Sequence, residues 1–386
     1  MLNLFCSVRL GAPSLGLIAE QAAMALSRHG LLRRVYAPPG LVPRADWRQV
    51  MVPIRTLPLL GRTERGRAYQ LLTRDVMFDL LATSLWRGDG PVMSLAGMSL
   101  ATLRLARRHD QRRFLLCGTS HIDYQRAVVT EAKRDAGLEG PPSEFNDRLL
   151  DRHRAEYHTA ETLVVPSRMA KQTFVRSGIE PERVVVLAHG VDLDRFTPTP
   201  LPDRDRLHIV FVGQVGMRKG IHVLLAACAR LDPGSFELVL VGDHEPEVPR
   251  LLALHPTVPV RLENFQQPVQ RYLSAADVLV LPSFEDGFGL VVLEAMAAGR
   301  PAVVSDACGA SEIVAAEGGG VVYPARDIDR LTEILAGMVA DRDHVARLGE
   351  EGRRVAEGHP WEIWQDGLAE TVADRLGTRT AVGGGV

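Results

Sequence analysis

Residues 283–299 read SFEDGFGLVVLEAMAAG and follow an apolar run, 278–281, that predicts a buried strand. Gly287 and Gly289 carry no Cβ, so the backbone of the loop after this strand can approach a ligand closely. From Leu290 onward the spacing of apolar residues predicts a helix, whose first amide groups have no acceptor inside the helix. The stretch therefore predicts a strand, a glycine loop and a helix that begins at a ligand site.

Two carboxylates of this stretch, Asp286 and Glu294, stand eight positions apart in the sequence. One precedes the predicted helix and the other lies in its second turn. Carboxylates accept hydrogen bonds from sugar and ribose hydroxyl groups, whereas free helix amides favour phosphate. The pair predicts a site for a ligand that carries both groups. The structural alternative is a strand-to-helix turn with two surface acids.

The bulk composition is that of an ordinary soluble globular protein, with 386 residues, 46% hydrophobic and 24% charged. This length favours two domains over a single core. The four cysteines have no metal-ligand spacing, which indicates buried thiols in a reducing compartment. No basic and apolar leader begins the chain, and no apolar run approaches eighteen residues. The expected location is therefore the cytoplasm.

The charges of the two halves have opposite sign. Residues 1–200 contain 28 Lys and Arg against 20 Asp and Glu, and residues 201–386 contain 17 against 27. The basic residues are nearly all arginines with few aromatics between them, so the pattern does not indicate a nucleic-acid partner. Three interpretations stay open: an anionic acceptor, peripheral contact at the inner face of a membrane, or a solvated face without a partner.

Predicted strands and helices alternate along both halves of the chain. Strands are predicted at 2–8, 113–117, 163–165, 184–187, 207–212, 237–241, 258–262, 278–281 and 301–305, and helices at 17–29, 98–108, 144–157, 169–177 and 221–230. Residues 38–74 are predicted to be irregular or mobile surface on the acceptor side. The Pro-rich, charged segment 189–205 predicts a linker, and 379–386 a frayed tail.

This alternation of strands and helices predicts an α/β protein of two doubly wound, Rossmann-like domains that face each other across a cleft. The first domain is expected at 1–195 and the second, donor-binding domain at 196–362. A C-terminal helix at about 363–378 is expected to pack back on the first domain.

Residues 211–220, FVGQVGMRKG, form a second constellation, in which a strand ends at Gly213 and two cations precede the next helix. Arg218 and Lys219 beside free helix amides can hold a pyrophosphate without a metal ion. A surface turn with two snorkelling side chains is the structural alternative.

These pieces recur in order as VVPS (164–167), HGVDLDRF (189–196), FVGQVGMRKG, AADVLVLPS (275–283) and the stretch 286–314. Together they resemble the large retaining GT4 family of glycosyltransferases, also called glycosyl transferases group 1, which have the GT-B fold. The resemblance covers most of residues 164–314. It implies a nucleotide-diphosphate sugar as donor, an unidentified hydroxyl acceptor, and a hexosyltransferase activity.

The resemblance also implies roles for residues of the second half. Glu294 would hold the ribose hydroxyls and Asp286 would contact the donor sugar, although the neighbouring Glu285 could take that place. Lys219 would bind the diphosphate together with Arg218. The backbone amides expected to contact sugar hydroxyls and phosphate belong to Phe288, Gly289 and Leu290.

In the first half the resemblance is looser and involves two residues. Gly16 resembles the glycine before the first helix that closes over the donor phosphates. His121, within TSHIDYQ, follows a predicted strand and resembles the active-site histidine near the transferred sugar. The expected catalytic set is therefore His121, Arg218, Lys219 and Asp286.

Two positions depart from the family pattern: Gln214, where an arginine is frequent, and Asp286, where a glutamate is usual. The phosphate clamp would then depend on Arg218 and Lys219. The family resemblance implies a front-face retaining reaction without a protein nucleophile, in which these cations stabilise the leaving diphosphate.

No cofactor and no metal ion are expected. The chain contains three Asp-x-Asp pairs, which are typical of metal-binding transferases, at 192 and 194, 203 and 205, and 327 and 329. The first belongs to the linker, the second to a charge run, and the third to a predicted helix start.

Two other functions compete with transfer. One is a non-hydrolysing sugar-nucleotide epimerase with the same fold, and the other is a non-catalytic sugar-nucleotide-binding subunit of a larger complex. The sequence leaves the donor sugar, its base and the acceptor open.

Overall fold

A computed structural model describes residues 1–39, 47–53, 64–137, 145–202, 204–265 and 268–378, with side chains from residue 72 onward in the helix that begins at 64. The chain divides into two compact units. The first comprises residues 1–126, 141–187 and 362–386, and the second comprises 127–140 and 188–361. The chain thus passes into the second unit after Leu187, whereas the sequence placed this boundary after residue 195.

The first unit contains a seven-stranded parallel sheet in the order β3-β2-β1-β4-β5-β6-β7. Its strands are β1 (Leu2–Phe5), β2 (Leu32–Ala37), β3 (Gln49–Met51), β4 (Val92–Leu95), β5 (Arg113–Leu116), β6 (Thr162–Val165) and β7 (Val184–Val186). Its helices are α1 (Leu15–Arg28), α2 (Glu64–Leu85), α3 (Leu100–Arg108), α5 (Asp147–Thr159), α6 (Arg168–Arg176) and α14 (Trp361–Leu376). Helix α4 (Ile122–Asp135) begins in this unit and ends in the second.

The second unit contains a six-stranded parallel sheet in the order β10-β9-β8-β11-β12-β13. Its strands are β8 (Leu207–Val212), β9 (Phe236–Val241), β10 (Val260–Glu263), β11 (Val278–Leu281), β12 (Ala302–Ser305) and β13 (Gly320–Tyr323). Its helices are α7 (Ile221–Cys228), α8 (Val248–Ala253), α9 (Val269–Ala275), α10 (Leu290–Ala297), α11 (Ser311–Glu317), α12 (Ile328–Ala340) and α13 (Arg342–Glu357).

The central strands form because both of their faces are covered by helices. Strands β1, β4, β11 and β12 are buried at every position, which is the pattern of a parallel sheet between two helical layers. The expected α/β class with two doubly wound, Rossmann-like units is confirmed.

One prediction of local structure was wrong. Residues 64–74 belong to helix α2 and residues 49–51 to strand β3, although the whole of 38–74 was expected to be irregular. Helix α2 has no clear apolar periodicity in sequence because Asp79, on its buried face, replaces an apolar residue. Residues 40–46 and 54–63 of that segment, and the predicted tail 379–386, lie outside the described residues.

The order of strands fixes where a ligand can bind. In each sheet the order reverses at one point, between β1 and β4 in the first unit and between β8 and β11 in the second. The loops after two such strands diverge to opposite sides and leave a crevice at the carboxyl edge of the sheet. Both constellations of the second half, after β8 and after β11, meet at such a point.

Candidate functional site

The loops after β8 and β11 touch through their backbones. The Phe284 N–H donates a hydrogen bond of 2.9 Å to the carbonyl of Arg218. Gly220 has φ +70°, and a Cβ there would lie 1.9 Å from the carbonyl oxygen of Pro282. Only a glycine allows this approach, so the two sequence constellations, about 70 positions apart, form one loop cluster.

Arg218 is fixed by a buried carboxylate. Its Nη1 donates to the Glu285 carboxylate at 2.9 Å and to the Glu285 carbonyl at 3.0 Å. The Glu285 side chain is fully buried. Burial lowers the pKa of Arg218, but the charges of Glu285 and Asp286 outweigh it and raise that pKa above its usual value. Glu285 therefore orients Arg218, and its carboxylate is not available to solvent.

Lys219 pairs with the next acid, Asp286, through Nζ and Oδ2. The other oxygen of Asp286 accepts from the Phe288 N–H at 3.3 Å. Burial raises the pKa of Asp286, but the charges of Lys219 and Arg218 outweigh this effect and hold the pKa below its usual value. Because both side chains keep about a tenth of their surface exposed, 11% and 13%, this pair lies at the edge of the crevice.

A third loop, residues 306–310 after β12, holds the glycine loop in place. The carbonyl of Phe288 accepts from the Ala310 N–H at 2.7 Å and from the Cys308 thiol at 2.9 Å. Asp286 exchanges two backbone hydrogen bonds with this loop, from its own N–H to Ala307 and to its carbonyl from Gly309. The sequence reasoning missed Cys308 and Ala310, which lie inside the stretch that carries the resemblance but follow a different strand.

Helix α10 begins at this loop cluster. Gly289 precedes it with φ +83°, and a Cβ there would lie 2.7 Å from the Cys308 sulfur. The amides of Gly289 and Leu290 stand at the helix start, where backbone N–H groups have no acceptor within the helix. Gly287 lies between Asp286 and Phe288 in the same turn. The predicted strand, glycine loop and helix are therefore present with the predicted order of residues.

Glu294 lies in the second turn of α10 and is partly buried. Among the described residues its carboxylate accepts no hydrogen bond. Burial raises the pKa of Glu294 to about 7, and the nearby charge of Arg195 lowers it only in part. A desolvated carboxylate without a hydrogen-bond donor is unfavourable, so a ligand that supplies hydroxyl donors here would be stabilised.

The loop after β9 supports the cation loop from its other side. Glu245 accepts from the Met217 N–H at 2.9 Å, and a Cβ on Gly216 would lie 2.0 Å from the same carboxylate. Gly213 keeps φ +149°, and a Cβ on the neighbouring Gly242 would lie 1.9 Å from the Gly213 carbonyl. Glu245 and Gly242 were not identified from the sequence, because their role depends on the adjacency of β8 and β9.

His121 lies in the first unit, in the loop between β5 and α4. Its ring packs against Tyr157 and Phe174, with centroids 4.9 and 5.3 Å away, and the residue is 4% exposed. Its Nδ1 accepts from the Asp123 N–H at 3.2 Å. Burial lowers the pKa of His121 to about 4, although Asp123 raises it, so the ring is neutral at pH 7 and does not form an ion pair with Asp123.

Gly16 lies in the first turn of α1, under the loop that joins β1 to this helix. A Cβ there would lie 2.3 Å from the Arg9 carbonyl, and the Gly16 carbonyl accepts from the Gly11 N–H at 3.0 Å. The glycine is required for close packing of this turn. The role expected of Gly16 toward donor phosphates stays a prediction, as does the role of His121.

Three of the acids that raised the question of a metal are engaged in a turn, a helix cap and an ion pair. Asp192 accepts from the amides of Asp194 and Arg195 at 3.2 and 3.0 Å. Asp327 caps α12 by accepting from the Arg330 N–H at 2.8 Å, which confirms the predicted helix start. Asp329 pairs with Arg230. Asp203 lies outside the described residues.

Two parallel, doubly wound units are the architecture of the GT-B fold. Residues 206–341 match the family described as "Glycosyl transferases group 1". The expected GT-B fold is confirmed, and the expected resemblance to the group 1 family is found over residues 206–341.

Curated relatives are named as enzymes of sugar transfer, the class expected from the sequence. The MMP alpha-(1->4)-mannosyltransferase of Mycolicibacterium hassiacum is 34% identical over 223 residues, which are 55% of this chain and 53% of that protein. The D-inositol 3-phosphate glycosyltransferase of Nocardia farcinica is 27% identical over 305 residues, 72% and 66% of the two chains. The chain thus spans about half to two thirds of the length of these relatives.

Solved structures share the fold over nearly the whole chain. Sucrose-phosphate synthase from Thermosynechococcus elongatus superposes with a TM-score of 0.76 at 20% identity and covers 98% of this chain and 99% of that one. Anabaena Alr3699/HepE in complex with UDP has a TM-score of 0.67 at 17% identity and covers 97% and 100%. That protein was also solved with UDP-glucose. No helix among the described residues is long and apolar enough to cross a membrane.

Proposed function

We propose that the chain is a retaining, metal-independent glycosyltransferase that moves a sugar from a nucleotide-diphosphate sugar to a hydroxyl acceptor. The observation that carries this proposal is the loop cluster of the second unit. There, Arg218 and Lys219 lie beside the start of α10 and are paired with Glu285 and Asp286. Cations and free amides suit the diphosphate, and carboxylates suit the hydroxyl groups.

The two ion pairs have different roles in donor binding. Glu285 is fully buried, so it orients Arg218 and keeps it charged without touching the sugar. Asp286 is partly exposed at the edge of the crevice and can exchange its bond to Lys219 for a sugar hydroxyl. This assigns the sugar contact to Asp286 and leaves Lys219 to turn toward the diphosphate. Anabaena Alr3699/HepE, which shares the fold, was solved with UDP-glucose, and this supports a nucleotide-diphosphate sugar as donor.

In the chemical step the bond between the sugar carbon and the diphosphate oxygen breaks while the acceptor oxygen attacks the same face. The acceptor proton passes to the departing diphosphate, so atoms and charge balance without a protein nucleophile. Negative charge grows on the leaving oxygen, and two fixed cations stabilise it more than they stabilise the ground state. The neutral His121 has the protonated Nε2 that a contact to a sugar or acceptor hydroxyl would need.

Metal independence is part of the proposal because two protein cations already lie where the diphosphate would bind. The carboxylates of Asp192, Asp327 and Asp329 are used in a turn, a helix cap and an ion pair. The acceptor is proposed to be anionic, since the first 200 residues carry an excess of arginine and one relative is named for D-inositol 3-phosphate.

The test is incubation of the purified chain with UDP-, GDP- and ADP-sugars, each with inositol phosphate, a hexose phosphate, a neutral sugar or no acceptor. We expect one donor to release nucleoside diphosphate faster with a phosphorylated acceptor, in excess chelator, and NMR of the product to show the anomeric configuration of the donor. A strict need for Mg²⁺ or Mn²⁺, or an inverted product, would contradict the proposal. Formation of a glycal or an epimer from donor alone would identify the epimerase alternative.

A further inference from the structure

From residue 72 onward, where its side chains are described, helix α2 presents an uncharged face to solvent. Its exposed side chains from residue 72 onward form the α2 strip, which consists of Thr73, Met77, Leu80, Leu81, Ser84 and Leu85. The four apolar members are 39%, 58%, 37% and 47% exposed in chain order. A surface helix normally places charged residues on this face, so a row of exposed aliphatic side chains indicates an interaction surface.

The charged residues of this part of α2 are turned to other partners. Asp79 is buried and accepts from the Ala101 and Thr102 amides at 2.6 and 2.9 Å, which caps helix α3. Arg74 and Asp75 pair with each other at 2.9 Å. Phe78 is fully buried against the core of the first unit. The apolar strip is therefore the outer face of a well-packed helix.

A groove runs beside the strip between α2, α3 and α5. It has a volume of about 540 Å³, and its apolar lining comes from Leu72, Val76, Met77 and Leu100. Two arginines, Arg104 on α3 and Arg148 on α5, line the same groove and are exposed. Neither forms an ion pair with a described residue. The lining also includes Asp151, which pairs with Arg154, and Arg152, which pairs with Asp79. The groove thus combines an apolar lining with two cations, Arg104 and Arg148, that are not used in these pairs.

We propose that the α2 strip and this groove dock on the surface of a bilayer that contains anionic lipids. Aliphatic side chains insert at the boundary of headgroups and acyl chains, and arginines attract the headgroup phosphates. A protein partner fits less well, because the strip has no Trp or Tyr to anchor in a matching pocket. The net positive charge of residues 1–200 adds to the attraction.

The test is sedimentation of the full chain with vesicles of phosphatidylcholine alone, or of phosphatidylcholine and phosphatidylglycerol in equal parts. We expect binding to the acidic vesicles that weakens as salt is raised. The double variant Leu80→Gln, Leu81→Gln should bind these vesicles at least about 10-fold more weakly, because each replaced side chain loses apolar burial. The control Leu254→Gln removes a leucine that is 63% exposed in the second unit and should bind unchanged.

The arginines are tested separately. Arg104→Gln and Arg148→Gln should each weaken binding to acidic vesicles by about 5-fold, which corresponds to the ~1 kcal/mol of one arginine near an anionic surface. Nucleotide binding and circular dichroism should not change in any of these variants. Three results would overturn the proposal: no binding to acidic vesicles, equal binding by the double variant, or a dimer in solution that Leu80→Gln dissociates, since the strip would then join two copies.

Discussion

The loop cluster of the second unit and the His121 loop of the first each follow the carboxyl ends of strands in the parallel sheet of their own unit. Their chemistry nevertheless differs. In the second unit two cations and two carboxylates are arranged in pairs, and the neighbouring charges raise the pKa of Arg218 and lower the pKa of Asp286, which favours the charged form of both. In the first unit an imidazole packs between aromatic rings, and burial keeps it neutral with a pKa of about 4.

Under the proposed function, the difference predicts a separate contribution from each unit. Side chains that are paired with each other can exchange these ion pairs for contacts with a charged ligand. A neutral imidazole can instead donate one N–H without repelling a cationic centre in the substrate. Donor binding would then depend on the second unit, and the first would act only in the transfer step. The predictions below test this division, from the largest expected effect to the smallest.

Lys219→Ala should lower turnover by about 100- to 1000-fold, because a cation that faces developing charge acts mainly in the transition state. The exposed Arg230, which pairs with Asp329 in the same unit, provides a matched control. Arg230→Ala should leave turnover unchanged. If steady-state kinetics show Lys219→Ala within a few-fold of the parent, the diphosphate clamp is assigned wrongly.

Glu294→Ala should weaken nucleotide binding by about 10- to 150-fold, since hydrogen bonds to a charged group contribute ~1.5–3 kcal/mol. Isothermal titration with the nucleoside diphosphate measures this directly. Glu333→Ala, which changes an exposed acid on α12, should have no effect. Unchanged affinity in Glu294→Ala would remove this carboxylate from the ribose site.

His121→Ala should reduce transfer by about 5- to 150-fold, which corresponds to the loss of ~1–3 kcal/mol of hydrogen bonding, and leave nucleotide affinity unchanged. His121→Phe keeps the packing against Tyr157 and Phe174 and should show the same loss without unfolding. The control is His158→Ala, on the exposed side of α5. A parallel loss of nucleotide binding and turnover would make His121 structural.

The activity of the parent should also show no ionisation of His121 between pH 5 and 8. Its pKa of about 4 lies below this range, so the ring is neutral throughout it. A pH profile that loses a step near pH 6.5 when His121 is replaced would contradict the neutral form.

Glu294→Gln should change the pH dependence of stability by a small amount. The folded pKa of about 7 lies above the model-peptide value, so the folded protein holds a proton that the unfolded chain releases, and stability falls as pH rises from about 4.5 to 7. The variant should therefore unfold at a higher temperature than the parent at pH 8 and not at pH 4.5. We expect a gain of about 1–2 kcal/mol, because the side chain is only partly buried.

Much of the fold followed from the sequence because parallel strands are short apolar runs with glycine at their ends. Strands β8 and β11 were predicted with the observed bounds, and the helix after 283–289 begins at Leu290 as expected. Strands β2, β3, β4 and β13 and helices α4, α8, α9, α11 and α13 were not identified, and of α12 only the start was predicted. Helix α2 was missed because its two faces do not differ in polarity: the buried face carries Asp79 and the exposed face carries Leu80 and Leu81.

The sequence by itself determined the residue types of the candidate site, the glycine positions between strand and helix, and the match of residues 206–341 to the group 1 glycosyltransferases. These are local properties, fixed by the spacing of a few residues along the chain. Tertiary structure alone decided that Glu285 is buried beneath Arg218 while Asp286 remains at the edge, and that Cys308 and Ala310 hold the glycine loop. The physical reason is that burial and hydrogen bonding depend on which strands are neighbours in the sheet, and β8, β11 and β12 are far apart in sequence but adjacent in space.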